Sequence, residues 1–144
     1  TALDVITQDY IFKILEAIHE ERKTTMMLST HDIAVVATIC DYMAVMYGGN
    51  IVEMGNIYEM FEEPRHPYTK LLIKAAPSLV GEMQERTAIP GSPPDLMKKR
   101  KGCIFADRCP LCDEKCRRLE PETVTVSEGH TVACHKVNKE TKQQ

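Results

Sequence analysis

Five of the chain's six cysteines, Cys103, Cys109, Cys112, Cys116 and Cys134, fall within about thirty residues near the C-terminal end. Thiols at that density constrain the fold, because they point to disulfides, a zinc site or an iron–sulfur cluster. Structural zinc sites use short C-x₂₋₄-C knuckles. Cys103, Cys109, Cys116 and Cys134 are instead separated by five, six and seventeen residues, intervals suited to wrapping around a larger object. Cys112 forms one C-x₂-C pair with Cys109, which keeps zinc open. Cys40, alone in an apolar stretch, reads as core packing.

Charge follows the thiols. Between Lys98 and Glu120 there are eight Lys and Arg against four Asp and Glu, a local excess of +4 in a chain of net charge -3. A cluster held by four thiolates is a net anion, and Lys98, Lys99, Arg100, Lys101, Arg108 and Arg117 would stabilise it. A solvated basic loop is the plainer reading. Nucleic-acid contact is disfavoured, because Phe105 is the segment's only aromatic residue and no stacking series accompanies it. No apolar run approaches the ~20 residues of a membrane span. The Thr1-Ala2-Leu3-Asp4 start has neither the basic residues nor the apolar stretch of a signal peptide. With no initiator Met, the sequence reads as a piece of a longer protein.

Along the chain, residues 7–22 carry Ile11, Ile14, Leu15 and Ile18 at helical spacing. Residues 24–29 form a short apolar run without alternation, which predicts a strand buried on both faces of a parallel sheet. Thr30-His31-Asp32 follows as a loop, with Thr30 or Asp32 placed to cap a helix from Ile33. Residues 42–47 and 51–54 flank Gly48-Gly49-Asn50 and predict a hairpin. Residues 56–62 and 68–75 read as helices separated by Pro64 and Pro67, and His66 reads as the structural lead-in to a Pro-started helix. Residues 124–126 and 131–133 flank Ser127-Glu128-Gly129-His130 as a second hairpin, which would return Cys134 to the earlier cysteines. His135 is a ligand only in a zinc reading and otherwise a bystander.

The stretch Leu28-Ser29-Thr30-His31-Asp32, with residues 41–55 (DYMAVMYGGNIVEMG), resembles the switch-histidine region of ABC transporter ATPases. Thr1-Ala2-Leu3-Asp4 is similar to that family's D-loop. Arg65-His66-Pro67-Tyr68-Thr69, Ile89-Pro90-Gly91-Ser92-Pro93-Pro94 and the cysteine spacing resemble the C-terminal extension of oligopeptide, dipeptide and nickel importer ATPases. The resemblance covers nearly the whole chain to about Val137.

That resemblance implies an α/β fold, the C-terminal remnant of a P-loop ABC ATPase domain followed by a small irregular Cys-rich metal-binding extension. The implied boundaries are 1–76 for the end of the nucleotide-binding domain and the start of the extension, 77–101 for a Pro-rich arm, 102–137 for the Cys-rich subdomain and 138–144 for a tail. It implies that His31 is the catalytic switch histidine at the ATP γ-phosphate and that Asp4 is the D-loop aspartate communicating across the ATPase dimer. It assigns Cys103, Cys109, Cys116 and Cys134 to a [4Fe–4S] cluster, with zinc as the alternative, and leaves Cys112 outside the set. Disulfides are disfavoured because such an ATPase works in a reducing compartment. The implied function is coupling of ATP hydrolysis to import of peptides or nickel, with ATP and Mg in the intact parent. The implied partners are a second ATPase subunit, two transmembrane permease subunits and, indirectly, a solute-binding protein, with no nucleic acid. The implied location is peripheral, at the cytoplasmic face of the cell membrane. The rival reading is a stand-alone Cys-rich Fe–S or zinc module for redox sensing or nucleic-acid contact. The 144 residues contain no GxxxxGK[ST] phosphate loop, ABC signature or Walker B strand, so this piece is expected to lack ATP hydrolysis on its own.

Overall fold

The computed structural model describes residues 4–75, 88–98 and 101–137. The first three residues of the D-loop-like stretch, much of the Pro-rich arm and the polar tail lie outside the described residues. The chain divides into two compact units, residues 1–39 and 40–144.

In the first unit, helix α1 (Val5–Arg22) begins on Asp4. Asp4 Oδ1 accepts the amides of Ile6 at 3.1 Å and Thr7 at 2.9 Å, and Oδ2 accepts the Thr7 hydroxyl at 2.7 Å. The Thr7 amide and hydroxyl hold this carboxyl below its usual range. The helix therefore starts two residues before the apolar periodicity does, because the cap and not the stripe sets its first turn. It ends at Lys23, whose left-handed backbone (φ 51°) lets its amide donate to His19 O at 2.7 Å. Helix α2 (Ile33–Ile39) begins on Asp32, whose Oδ1 accepts the Ala34 amide at 2.9 Å.

Residues 24–29, expected as a doubly buried strand, have no sheet partner among the described residues, and Met27 is 98% exposed. An apolar run becomes a strand only when neighbouring strands take up its amides and carbonyls. Periodicity records the preference for burial but supplies no partner.

The second unit holds a four-stranded antiparallel sheet in the order β1-β2-β4-β3. Strands β1 (Tyr42–Tyr47) and β2 (Asn50–Asn56) form the expected hairpin. Its turn needs positive φ at Gly48 (55°) and Gly49 (83°). Gly48 is constrained twice, since a Cβ there would stand 2.6 Å from Ile104 Cγ1. Asn56 caps helix α3 (Ile57–Glu62) by accepting the Tyr58 amide at 2.9 Å, and helix α4 (Pro67–Ala75) opens on its proline. After a 3₁₀ turn (Ala106–Arg108) and helix α5 (Glu114–Arg118), β3 (Thr123–Ser127) and β4 (His130–Ala133) form the second expected hairpin. The two hairpins join as one sheet through β2 and β4, with Glu53 opposite Val132 and Met54 opposite Thr131.

The join is fastened by a buried carboxylate. The β1–β2 register slips between Val45 and Met46, so Val52 has no opposite residue and Glu53 turns inward beside it. Glu53 Oε1 accepts the Arg65 amide at 2.6 Å and faces His130 Nε2 at 2.8 Å, and Oε2 accepts the His66 amide at 2.9 Å. His130 Nδ1 stands 3.5 Å from Glu59 Oε2, and Glu59 Oε1 accepts the Ser127 hydroxyl at 3.0 Å. Beside this network Phe105, 1% exposed, lies edge-on to Tyr47 at 5.1 Å and packs on Tyr68 at 5.2 Å and His66 at 5.9 Å. The loop before α4 and the cysteine segment thus share one core.

His66 Nδ1 accepts the Tyr68 amide at 3.0 Å, and burial pushes its pKa down to about 4 against the opposing Glu53 carboxylate. The unfolded imidazole titrates near ~6.5, so protonation favours the unfolded chain. Stability is expected to be full above pH ~6.5 and to fall by on the order of 3 kcal/mol as pH drops through the folded value. Denaturant melts across pH 7 to 4 measure this, and His66→Gln should flatten the slope in that window. An equally steep slope in the variant would assign the effect elsewhere.

Candidate functional site

Cys103, Cys109, Cys116 and Cys134 of the second unit come from four segments. Cys103 enters on a loop pressed backbone to backbone against α5: its amide donates to Cys116 O at 2.8 Å, and a Cβ on Gly102 would lie 2.4 Å from the carbonyl oxygens of Cys116 and Arg117. Only glycine permits that approach. Cys109 follows the 3₁₀ turn, whose Arg108 braces the segment. The Arg108 guanidinium donates to Pro90 O at 2.8 Å, Ile89 O at 2.9 Å and the Tyr47 hydroxyl at 3.2 Å. Cys116 sits in α5, capped by Asp113, whose Oδ1 accepts the Cys116 amide at 2.9 Å.

Cys134 comes at the end of β4. Asp113 reaches it indirectly, because its other oxygen pairs with the Lys136 ammonium two residues beyond Cys134. That ammonium, then the Cys116 amide, holds the Asp113 carboxyl well below the carboxylate range. One acidic side chain therefore caps the helix that bears Cys116 and tethers the turn that bears Cys134.

Four of these thiols are raised above the ordinary cysteine pKa, each chiefly by burial. Cys103 is pushed up to about 11, with Cys134, Cys109 and Cys116 adding to the effect. Cys109 is raised by burial and then by Cys134, Cys116 and Cys112, while Cys116 and Cys134 rise mainly by burial. The Lys136 amide, two residues on, donates to the Cys134 sulfur at 3.4 Å, and the Phe105 and Leu111 amides partly offset the rise of the Cys103 and Cys109 thiols. Cys112 is different, since its thiol donates to Asp113 O at 3.6 Å. All six cysteines are free, and among the described residues no three His, Cys, Asp or Glu side chains are gathered closely enough to hold a metal ion. The four expected ligands are thus electrostatic neighbours and not a closed ion cage.

The other expected residues lie elsewhere. His31 is exposed on the loop before α2, in the first unit. Asp4 is the α1 cap already described. Cys40 is half-buried just past α2, and burial raises its pKa. His135 faces Leu119 O at 2.8 Å, as suits a bystander. The sequence reading missed Glu53 and His130, and it gave Arg108 only a general stabilising charge beside the thiols. An acidic residue inside an otherwise apolar hairpin strand was the available signal for Glu53. Nothing local distinguished Arg108 from its basic neighbours, and His130 read only as a turn residue.

Residues 52–116 match the family described as the oligopeptide/dipeptide transporter, C-terminal region. The dipeptide transport ATP-binding protein DppD of Caldanaerobacter subterraneus is 39% identical over 135 residues, 94% of this chain and 41% of that protein. DppD of Bacillus subtilis is 42% identical over 134 residues, covering 93% of this chain and 40% of that protein. The oligopeptide transport ATP-binding protein OppD of Salmonella typhimurium is 42% identical over 136 residues, covering 94% and 40%. The chain spans about two fifths of the length of these curated relatives. The matched residues take in the HPY loop and Cys103 to Cys116, and nearly the whole chain is similar to oligopeptide and dipeptide transport ATP-binding proteins, the C-terminal region of whose family it matches.

Proposed function

We propose that this chain works as the C-terminal part of a subunit that couples ATP hydrolysis to import of peptides, with nickel as the alternative cargo. The observation that carries the reading is similarity running through 94% of the chain to DppD, both of its compact units included. The stand-alone Cys-rich module finds no support, since similarity is not confined to the cysteines. ATP with Mg, a second ATPase subunit, two permease subunits and, indirectly, a solute-binding protein belong to the same reading. So does a peripheral place at the cytoplasmic face of the membrane. Among the described residues no helix is long and apolar enough to cross a membrane.

In this reading His31 supplies a polarised N–H to the γ-phosphate region. Phosphoryl transfer is served mainly by positioned donors, and an exposed imidazole leading into a capped helix suits that task. Asp4 signals across the ATPase dimer, its carboxylate kept ionised by the Thr7 bonds. Cys103, Cys109, Cys116 and Cys134 hold a [4Fe–4S] cluster, zinc being the alternative. The donor set suits it: the Phe105, Leu111 and Lys136 amides oppose the rise of the Cys103, Cys109 and Cys134 thiols and so favour thiolates. A bound cationic centre reverses the burial penalty and draws the thiols to their ionised form.

Two outcomes are expected. In a full-length subunit bearing this region, His31→Ala should lower ATP turnover at least ~10²-fold while leaving ATP affinity within a few-fold, as for a group that acts in the transition state. Wild-type turnover would remove His31 from the role. Separately, the chain reconstituted with iron and sulfide without oxygen should turn brown and bind about four irons. Cys112→Ser should retain the colour and Cys134→Ser should lose it; the reverse result would place the site on Cys103, Cys109, Cys112 and Cys116.

A further inference from the structure

Cys112 is the thiol that the proposed ligand set leaves over. It lies one tight turn from Cys109: the Cys112 amide donates to Cys109 O at 3.2 Å, closing the turn Cys109-Pro110-Leu111-Cys112. Proline in the second position suits such a turn. A turn of this kind holds its end Cα atoms within ~7 Å, inside or near the span a disulfide bridges. The turn faces solvent, with Leu111 53% exposed, so a small reagent reaches it. The Cys112 thiol donates to the neighbouring Asp113 carbonyl at 3.6 Å.

We infer that Cys109 and Cys112 form a reversible intraturn disulfide, and that this bond withdraws Cys109 from the four-thiol group. The oxidant is a low-molecular-weight disulfide. The deprotonated Cys112 sulfur attacks one sulfur of that disulfide, whose S–S bond breaks and releases one small thiolate. The Cys109 thiolate then attacks the Cys112 sulfur of the mixed disulfide, forms the protein S–S bond and expels the second small thiolate. The two protons given up by the cysteines end on the two released thiols, and two electrons pass from the protein dithiol to the small disulfide. A reducing dithiol reverses both steps. The disulfide stands on the turn alone, and its effect on metal loading rests on the four-thiol reading.

The bond is directly readable, because trypsin cuts after Arg108 and Lys115 and places both cysteines in one peptide. Metal-free chain is incubated with oxidised glutathione, alkylated and digested. The expected peptide 109–115 is unalkylated and about 2 Da lighter than its reduced form. Cys103, Cys116 and Cys134 should be alkylated, and in Cys112→Ser so should Cys109. A disulfide joining Cys109 to any of the other three, or alkylation of both Cys109 and Cys112 after oxidation, would overturn the inference. In a second arm, oxidised wild-type chain should take up at least ~10-fold less iron than equally treated Cys112→Ser, and dithiol reduction should restore it. Full loading of the oxidised wild type would overturn the coupling. Absence of iron uptake in every reduced preparation would sink the four-thiol reading and, with it, the coupling, while the peptide result alone decides the disulfide.

Discussion

The Glu53 carboxylate is the point on which the second unit depends. A buried carboxylate is costly unless every lone pair finds a donor. Glu53 meets the backbone amides of Arg65 and His66 on one side and the His130 ring on the other. Those donors come from the loop before α4 and from the C-terminal hairpin, segments far apart in sequence. The bond set therefore decides where the HPY loop lies and where β4 docks. The Tyr47, Tyr68 and Phe105 rings then fill the space between. By contrast the exposed pairs Lys13–Asp9, Lys23–Glu20 and Arg118–Glu114 each contribute little, since water screens them.

Much of the local structure was legible in the chain. The Gly48-Gly49 turn, the capped start of α2, the helix after β2, the Pro67 helix and the second hairpin all follow from short-range stereochemistry, and each was found where the residues put it. What escaped was long-range. Residues 24–29 were apolar enough for a buried strand, but periodicity cannot say whether a partner is at hand. Glu53 escaped because a bulge at Val52 breaks the alternation that would have placed it. The merger of the hairpins also left no local mark, because its register is set by Glu53 and His130 together.

The candidate site was legible in a similarly uneven way. The cysteine spacing named the thiols, and the hairpin gave a reason for Cys134 to return. The device that brings it back was hidden in two ordinary charged residues. Asp113 has the look of a simple helix cap and Lys136 that of a surface lysine, yet together they join the Cys116 helix to the Cys134 turn. Gly102 was equally silent, although its missing side chain is what lets the Cys103 loop lie on α5.

The sheet order has a kinetic consequence. Each hairpin closes a short loop and can form on the microsecond scale by itself. The contact that unites them, Glu53 with His130, spans 77 residues, and its loop-closure entropy must be met before the buried bonds return anything. Until then β2 has one open edge and an inward-turned carboxylate that lacks its His130 partner. The second unit is thus expected to fold last at its centre, and a nascent chain must emerge past Ala133 before that centre can close. During synthesis the cysteine segment is exposed ahead of the hairpin that completes it, which leaves an interval in which its thiols are open to whatever chemistry surrounds them.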